Sequence, residues 1–118
     1  HEQYRKRLSE IPGITPPIPP PDNVEYNYAY MPVEIDEGEF GMSRNQLYEK
    51  LKDYNIFSRR YFYPLLNDFA CYQSVSITDP LTIARAVAEK IMTLPIYFGL
   101  TRHEVDSICD ILCELSRK

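Results

Sequence analysis

The chain has 118 residues, 44% hydrophobic and 25% charged, a length and composition that fit one ordinary globular domain. Its formal net charge of -4 argues against a nucleic-acid partner, which normally requires a basic surface. No apolar run is long enough to cross a bilayer and no signal-peptide pattern is present, so we expect no membrane partner either.

A helix and a stiff linker are predicted first. Apolar residues recur at helical spacing between charges over 2–10, and Pro12-Gly13 then stops the helix. Five prolines fall within 16–21, where polyproline II is the natural conformation. A proline ligand for a binding partner is one interpretation of this run. A stiff spacer leading into a strand is the one we favour.

Residues 25–35 predict a strand, because their side chains alternate and the tyrosines at 26, 28 and 30 share one face. Pro32 indicates an edge position or a bulge in this strand. The acidic segment at 36–39 predicts a solvated turn.

Three further helices are indicated by their first residues. The Ser-x-x-Gln sequence at 43–46 and the Thr-x-x-Glu sequence at 101–104 are capping boxes, the second opening a long amphipathic helix. Asp79-Pro80 combines an N-cap residue with proline at the first helical position, which predicts a helix to about Lys90.

Two further strands are predicted, at 56–63 and at 91–97, with irregular structure and one helical turn between 64 and 78. Helices and strands therefore alternate, but the glycine-rich strand-to-helix turn of a nucleotide-binding fold is missing. We expect an α+β fold: a small sheet of about three strands flanked by helices.

The three cysteines, Cys71, Cys109 and Cys113, have neither zinc-binding nor redox spacing. Buried, reduced thiols are the expected state, which fits a reducing cytoplasm. No histidine pair has metal-ligand spacing, and His103 is expected to be a solvated surface residue. The five lysines all lie in or beside polar helices, so none is expected to be a covalent catalyst.

The segment from Ser58 to Pro64 holds two adjacent arginines among aromatic residues. On a strand, Arg59, Tyr61 and Tyr63 would share one face. Arginine binds carboxylates and phosphates with paired hydrogen bonds, and tyrosine adds a hydroxyl and a stacking surface. The alternative is that the arginines pair with nearby acids such as Asp53 or Asp68 while the aromatic rings fill the core.

Three stretches in register, spanning nearly the whole chain, together resemble the DegT/DnrJ/StrS family of sugar aminotransferases. They are Asn-Tyr-Ala-Tyr-Met-Pro-Val at 27–33, Tyr-Asn-Ile-Phe-Ser-Arg-Arg-Tyr-Phe-Tyr-Pro-Leu at 54–65, and the helix at 84–90 followed by Leu-Pro-Ile-Tyr at 94–97. Their order and spacing match the C-terminal part of the family.

The resemblance implies the small C-terminal domain of a type I pyridoxal-phosphate-dependent transferase. Residues 1–11 would end a connecting helix, 12–23 would be a proline-rich linker and 24–118 the α+β body, with the large cofactor-binding domain outside this chain. It further implies a homodimer that transfers an amino group, commonly from glutamate, to a keto-sugar on a nucleoside diphosphate, often for surface polysaccharide synthesis.

Arg59, Tyr61 and Tyr63 are the positions that the resemblance assigns to the sugar-nucleotide site, where they would hold the diphosphate or the sugar. This chain departs from many relatives in having Leu66 and Tyr97 where they carry histidine, which puts the identity of the sugar in doubt. A detached small domain should also expose an apolar patch that includes Tyr28, Tyr30 and Tyr61. The rival hypothesis is a free-standing interaction module that uses the proline run or the tyrosine-rich strand.

Overall fold

A four-stranded antiparallel sheet with helices packed against it forms the body of the computed structural model, which describes residues 1–72, 74–75 and 79–116. The strand order is β1-β2-β4-β3. In chain order the elements are α1 (Glu2–Leu8), β1 (Ile14–Thr15), β2 (Met31–Ile35), α2 (Glu37–Phe40), α3 (Arg44–Lys52), β3 (Arg59–Arg60), two 3-10 turns (Leu66–Asp68 and Ala70–Tyr72), α4 (Thr82–Lys90), β4 (Ile91–Leu94) and α5 (Arg102–Leu115). The predicted α+β class is therefore confirmed.

The sheet has one strand more than the sequence indicated, because β1 lies inside the stretch predicted as linker. Ile14 pairs with Ile35 of β2, and its side chain is buried. The carbonyl of Gly13 also accepts a hydrogen bond of 2.8 Å from the amide of Asp36. Residues 12–13 form a turn, and residues 16–30, between Thr15 and the start of β2, contain neither helix nor strand.

The predicted strands are all longer than the strands in the structure. β4 has four residues, and it pairs with β2 from Met31 opposite Leu94 to Glu34 opposite Ile91. Residues 25–30 therefore have no strand to pair with, and they lie exposed with Tyr28 at a φ of 51°. β3 contributes only Arg59 and Arg60, which lie opposite Thr93 and Met92.

Both capping boxes are confirmed. The hydroxyl of Ser43 accepts from the amide of Gln46, and the hydroxyl of Thr101 accepts from the amide of Glu104. The start predicted for α4 at Asp79-Pro80 is wrong. The carboxylate of Asp79 instead accepts from the amide of Leu81 at 2.7 Å in a local turn, and the helix begins at Thr82.

The acidic segment at 36–39 forms the short helix α2 rather than a turn. The carboxylate of Asp36 accepts from the amides of Gly38 and Glu39, which satisfies donors that a helix start leaves free. Gly41 ends the helix in the left-handed conformation, at a φ of 87°.

One hydrophobic core joins the sheet to α1, α3 and α5. Its fully buried members include Tyr4 of α1, Leu47 of α3, Met92 of β4 and Leu112 of α5. Cys109 is buried in this core and Cys113 packs against it, whereas Cys71 is exposed, so the expectation of burial is wrong for that thiol. All three are free. Within the described residues, no helix is both long and apolar enough to cross a membrane.

Candidate functional site

The residues after β3 do not continue the alternation that the sequence predicted. The strand ends at Arg60, and Phe62 adopts a left-handed φ of 48°, so side chains beyond this point no longer alternate between two faces. Arg59, Tyr61 and Tyr63 therefore enter three different surroundings, and the expectation that they share one face is wrong.

Arg59 lines an open cleft of about 860 Å³ between the β3 edge of the sheet and α5. Tyr30, Tyr54 and Tyr97 line the same cleft, together with His103 from the first turn of α5. Within the described part of the chain, the guanidinium of Arg59 makes no ion pair or hydrogen bond. The cleft thus combines aromatic surface with one cation that is free to bind an anion.

The acids proposed as partners for the two arginines are occupied by other cations. Asp53 pairs with Lys50 at 2.8 Å, and Asp68 pairs with Arg85 at 3.0 Å. The alternative in which Asp53 or Asp68 neutralises Arg59 and Arg60 is therefore not realised.

Tyr61 belongs to an aromatic surface that it shares with Tyr30 and Phe62. Its ring lies 5.1 Å from that of Tyr30 and 4.2 Å from that of Phe62. Tyr28 and Tyr30 are almost half exposed, at 46% and 47%. Tyr61 also lines an apolar pocket of about 680 Å³ next to α4. Tyr28 and Tyr30 are thus exposed as expected, and Tyr61 is half-buried. Tyr28 packs with the rings of His1 and Tyr26, however, and only Tyr30 packs with Tyr61.

Tyr63 packs on arginines rather than facing the cleft. The guanidinium carbon of Arg44 lies 4.7 Å from the centroid of the Tyr63 ring, and that of Arg60 lies 4.9 Å from it. Arg60 also lies 5.1 Å from the ring of Tyr48 in α3. We call Arg44, Tyr48, Arg60 and Tyr63 the arginine cluster.

Arg44 is the member of this cluster that the sequence reasoning missed. It is only 1% exposed, and its Nη1 donates to the carbonyl of Ile91 at 2.7 Å. Burial, and then the nearby charge of Arg60, lower the pKa of Arg44. The sequence contained one indication that Arg44 has a special role. It directly follows the Ser43 cap, a position where the helix dipole disfavours a cation.

The lysines in the described residues do not fit a covalent cofactor site. Lys6, Lys50, Lys52 and Lys90 are exposed, whereas a Schiff-base lysine must be desolvated to be neutral and nucleophilic. Hydrogen bonds to Asp53 and Glu49 raise the pKa of Lys50 and of Lys52, which favours their charged forms. Lys118 lies outside the described residues.

Leu66 and Tyr97, the two departures noted in the sequence, are both accessible. Leu66 begins the first 3-10 turn and is 73% exposed. Tyr97 follows β4, is 59% exposed and lines the cleft together with Arg59. The second position is therefore placed to contact whatever occupies the cleft.

The sequence profile of the DegT/DnrJ/EryC1/StrS aminotransferase family matches residues 1–113. The chain is 45% identical over 111 residues to a dTDP-4-amino-4,6-dideoxy-D-glucose transaminase of Escherichia coli, covering 92% of this chain and 29% of that protein. A transaminase of the same description from Shigella dysenteriae is 36% identical, with 95% and 30% covered.

Among solved structures, the fold is similar to that of DesI, crystallised in the presence of its TDP-sugar product. The TM-score is 0.88 at 25% identity, over 100% of this chain and 30% of that one. The chain therefore spans about three-tenths of the length of the proteins that it matches.

Proposed function

Because the chain belongs to the DegT/DnrJ/EryC1/StrS aminotransferase family, we propose that it is the C-terminal small domain of a pyridoxal-phosphate-dependent sugar aminotransferase. Residues 1–11 would end the connecting helix, 12–23 would form the linker and 24–118 the body of the domain. The match to the Escherichia coli transaminase over 92% of the chain carries this proposal.

We propose that the complete protein transfers an amino group between glutamate and a dTDP-linked 4-keto-6-deoxy sugar, with dTDP-4-amino-4,6-dideoxy-D-glucose as the aminated form. The aminated sugar follows the description of the two transaminases of Escherichia coli and Shigella dysenteriae, and glutamate as the amino donor is part of our proposal. Cytoplasmic location, a homodimeric state and a place in surface polysaccharide synthesis belong to the same proposal. Neither a nucleic acid nor a membrane is among the partners proposed.

The cofactor would be held by polypeptide outside these 118 residues, since the exposed lysines of this chain do not fit a Schiff base. Pyridoxal phosphate, when bound, supplies the electron sink for amino transfer. The role proposed for this domain is to close over the substrate and bind it. Arg59 supports that role because it is an unpaired cation at an open cleft, suited to a diphosphate.

Tyr61 and Tyr63 are proposed as substrate contacts with different tasks, since their surroundings differ. Tyr61 presents a ring in the aromatic surface with Tyr30, where a sugar or base can stack. Tyr63 lies against the guanidinium groups of Arg44 and Arg60, where a phosphate would be attracted. Neither residue takes part in the covalent chemistry.

The test compares this chain with the full-length product of its natural gene. Both are mixed with pyridoxal phosphate, and then with dTDP-4-amino-4,6-dideoxy-D-glucose and 2-oxoglutarate. We expect the full-length protein to show the absorbance of lysine-bound cofactor and to form glutamate, and the 118-residue chain to do neither. A lysine-bound cofactor on the short chain, or its absence from the full-length protein, contradicts the proposal; the second result favours the interaction module.

A further inference from the structure

The arginine cluster holds two guanidinium groups, those of Arg44 and Arg60, packed on the rings of Tyr48 and Tyr63. No acidic side chain of the described residues lies within salt-bridge distance of Arg44 or Arg60. The charge of Glu89 raises the pKa of Arg44, but by less than burial and the charge of Arg60 lower it. A buried cation without an anionic partner is disfavoured, so this arrangement favours binding of an anion.

Arg44 also has N–H donors that no described residue uses. Its Nε and Nη2 are buried and have no hydrogen-bond partner among the described residues, while Nη1 is used by the carbonyl of Ile91. Nε and one Nη of a guanidinium form an edge that matches two oxygens of a phosphate or a carboxylate. The unused donors of Arg44 therefore have the geometry for a bidentate oxyanion.

The position of Arg44 on its helix adds to the positive potential. It is the first residue of α3, which runs for nine residues after the Ser43 cap. The amide dipoles of a helix place partial positive charge at this end, which opposes a cation there and attracts an anion. The cluster thus gathers two guanidinium groups and a helix start at one place.

We propose that Arg44, Arg60 and Tyr63 form a binding site for a doubly charged phosphate-type oxyanion. Arg60 is exposed and supplies the second charge. Tyr63, 43% exposed, covers Arg44 with its ring, so its side chain shifts when the anion reaches the unused donors. The site is separate from Arg59, which lines the cleft with Tyr97 and His103.

This inference does not rest on the aminotransferase proposal, because it concerns binding to the 118-residue chain itself. That chain has its own hydrophobic core and can be studied alone. Inorganic pyrophosphate is the probe, added at constant ionic strength, and the readout is the set of arginine Nε–H signals in ¹H–¹⁵N spectra. Arg44→Lys and Arg60→Gln identify the signals of the cluster. Arg102→Gln is the control, because Arg102 is also exposed but lies on another surface, with His1 and Lys6.

We expect the Arg44 signal to shift saturably with pyrophosphate, and the affinity to fall at least about tenfold in Arg60→Gln but to be retained in Arg102→Gln. Since Arg60 is exposed, its replacement should not prevent folding, which keeps the test usable even if Arg44→Lys does not fold. An Arg44 signal that does not respond overturns the site. An equal loss of affinity in Arg102→Gln overturns the placement of the site at Arg44 and Arg60. Equally tight binding of succinate overturns its preference for phosphate-type anions.

Discussion

Arg7 in α1 and Asp106 in α5 form an ion pair of 2.8 Å, although 99 residues separate them in the sequence. The second terminal nitrogen of Arg7 contacts Asp110 at 2.6 Å, and the side-chain amide of Gln3 donates to Asp106 at 2.7 Å. Beneath these contacts the hydroxyl of Tyr4 donates to the carbonyl of Pro95. The first helix is thus fastened to the last by polar contacts above a shared core.

Arg7→Met is expected to lower the midpoint of thermal unfolding by a few degrees, because it removes both ion pairs to α5. Hydrogen bonds from Gln3, and then from Arg7, lower the pKa of Asp106 below its ordinary value. A lowered carboxyl pKa stabilises the fold above the unfolded pKa, and that stability is lost as the pH falls through the folded pKa.

The measurement is circular dichroism of Arg7→Met and the unchanged chain, at about pH 7 and about pH 3. The difference between their midpoints should shrink at the lower pH. Lys52→Met is the control, because its partner Glu49 lies on the same helix and both side chains are exposed, so little change is expected. An equal difference at both pH values would contradict the role assigned to Asp106.

Gly13→Ala is expected to destabilise the chain severely, because the backbone at this position is both left-handed and crowded. An added Cβ would lie 2.4 Å from the amide nitrogen of Phe40, at a φ of 74°. Gly41 has a similar φ of 87° but no atom within 4 Å of the added Cβ, so Gly41→Ala is the matched control. We expect a loss of roughly 3 kcal/mol or more for Gly13→Ala.

The loss expected for Gly41→Ala is about 1 kcal/mol, from backbone strain alone. Urea unfolding of the two variants gives both values. If the two losses are equal, the contact between the residue 13 position and Phe40 is not what requires glycine.

The cysteines are expected to differ sharply in reactivity. Burial raises the pKa of Cys109 to about 11, so its thiol stays protonated at neutral pH. Cys71 is exposed and should react readily with a thiol reagent such as DTNB, while Cys109 should react only after unfolding. Because the folded pKa of Cys109 lies above its unfolded value, the associated stability should be lost as the pH rises toward about 11.

DTNB titration of the native chain and of Cys71→Ser at about pH 8 is the measurement, the second variant removing the fast phase. A fast reaction that persists in Cys71→Ser and disappears in Cys109→Ser would show that the core around Cys109 opens.

The sequence predicted the helices better than the strands, and the reason lies in how far apart the determining contacts are. Ser43 and Thr101 cap their helices through contacts three residues away, which a sequence pattern contains. The ends of β2 depend on β4, which lies about 60 residues further along and is only four residues long. No local pattern in residues 25–30 indicates that their partner is missing.

The sequence predicted only part of the candidate site, again because some of its contacts join residues far apart in the chain. Arg59 was named, and it lines the cleft as an unpaired cation. The alternation from Arg59 to Tyr63 failed because the strand ends at Arg60 and the backbone then turns, with Phe62 in the left-handed conformation. Arg44 was missed because its burial depends on α3 packing against β4, a contact across 47 residues.

Arg59→Ala in the full-length protein is expected to raise the KM for the nucleotide sugar about tenfold, since a charge-assisted contact to the diphosphate is lost. The absorbance of the bound cofactor should not change, because no part of the cofactor site is assigned to this residue. Arg102→Ala is the control: Arg102 is also exposed but lies on another surface, with His1 and Lys6. Steady-state kinetics measure the KM for the nucleotide sugar in both variants. An unchanged KM in Arg59→Ala would show that Arg59 does not contact the substrate.

The aromatic surface around Tyr30 and Tyr61 should make the isolated chain self-associate. Tyr30 is almost half exposed and packs with Tyr61, which stacks on the exposed ring of Phe62. Contiguous exposed aromatic rings on a small domain favour association. Tyr30→Ser removes one ring of the pair that lies 5.1 Å from Tyr61, and should weaken association about tenfold. Tyr72→Ser is the control, because Tyr72 is equally exposed, at 48%, in the second 3-10 turn.

Sedimentation velocity over a range of concentrations measures the effect. The unchanged chain and Tyr72→Ser should shift from monomer to larger species as concentration rises, and Tyr30→Ser should remain monomeric over more of the range. The reason is that burying an aromatic ring against a second copy removes apolar area from water, which the serine variant cannot do. A chain that stays monomeric throughout, or a Tyr72→Ser variant that dissociates as readily as Tyr30→Ser, would show that these rings do not form an association surface.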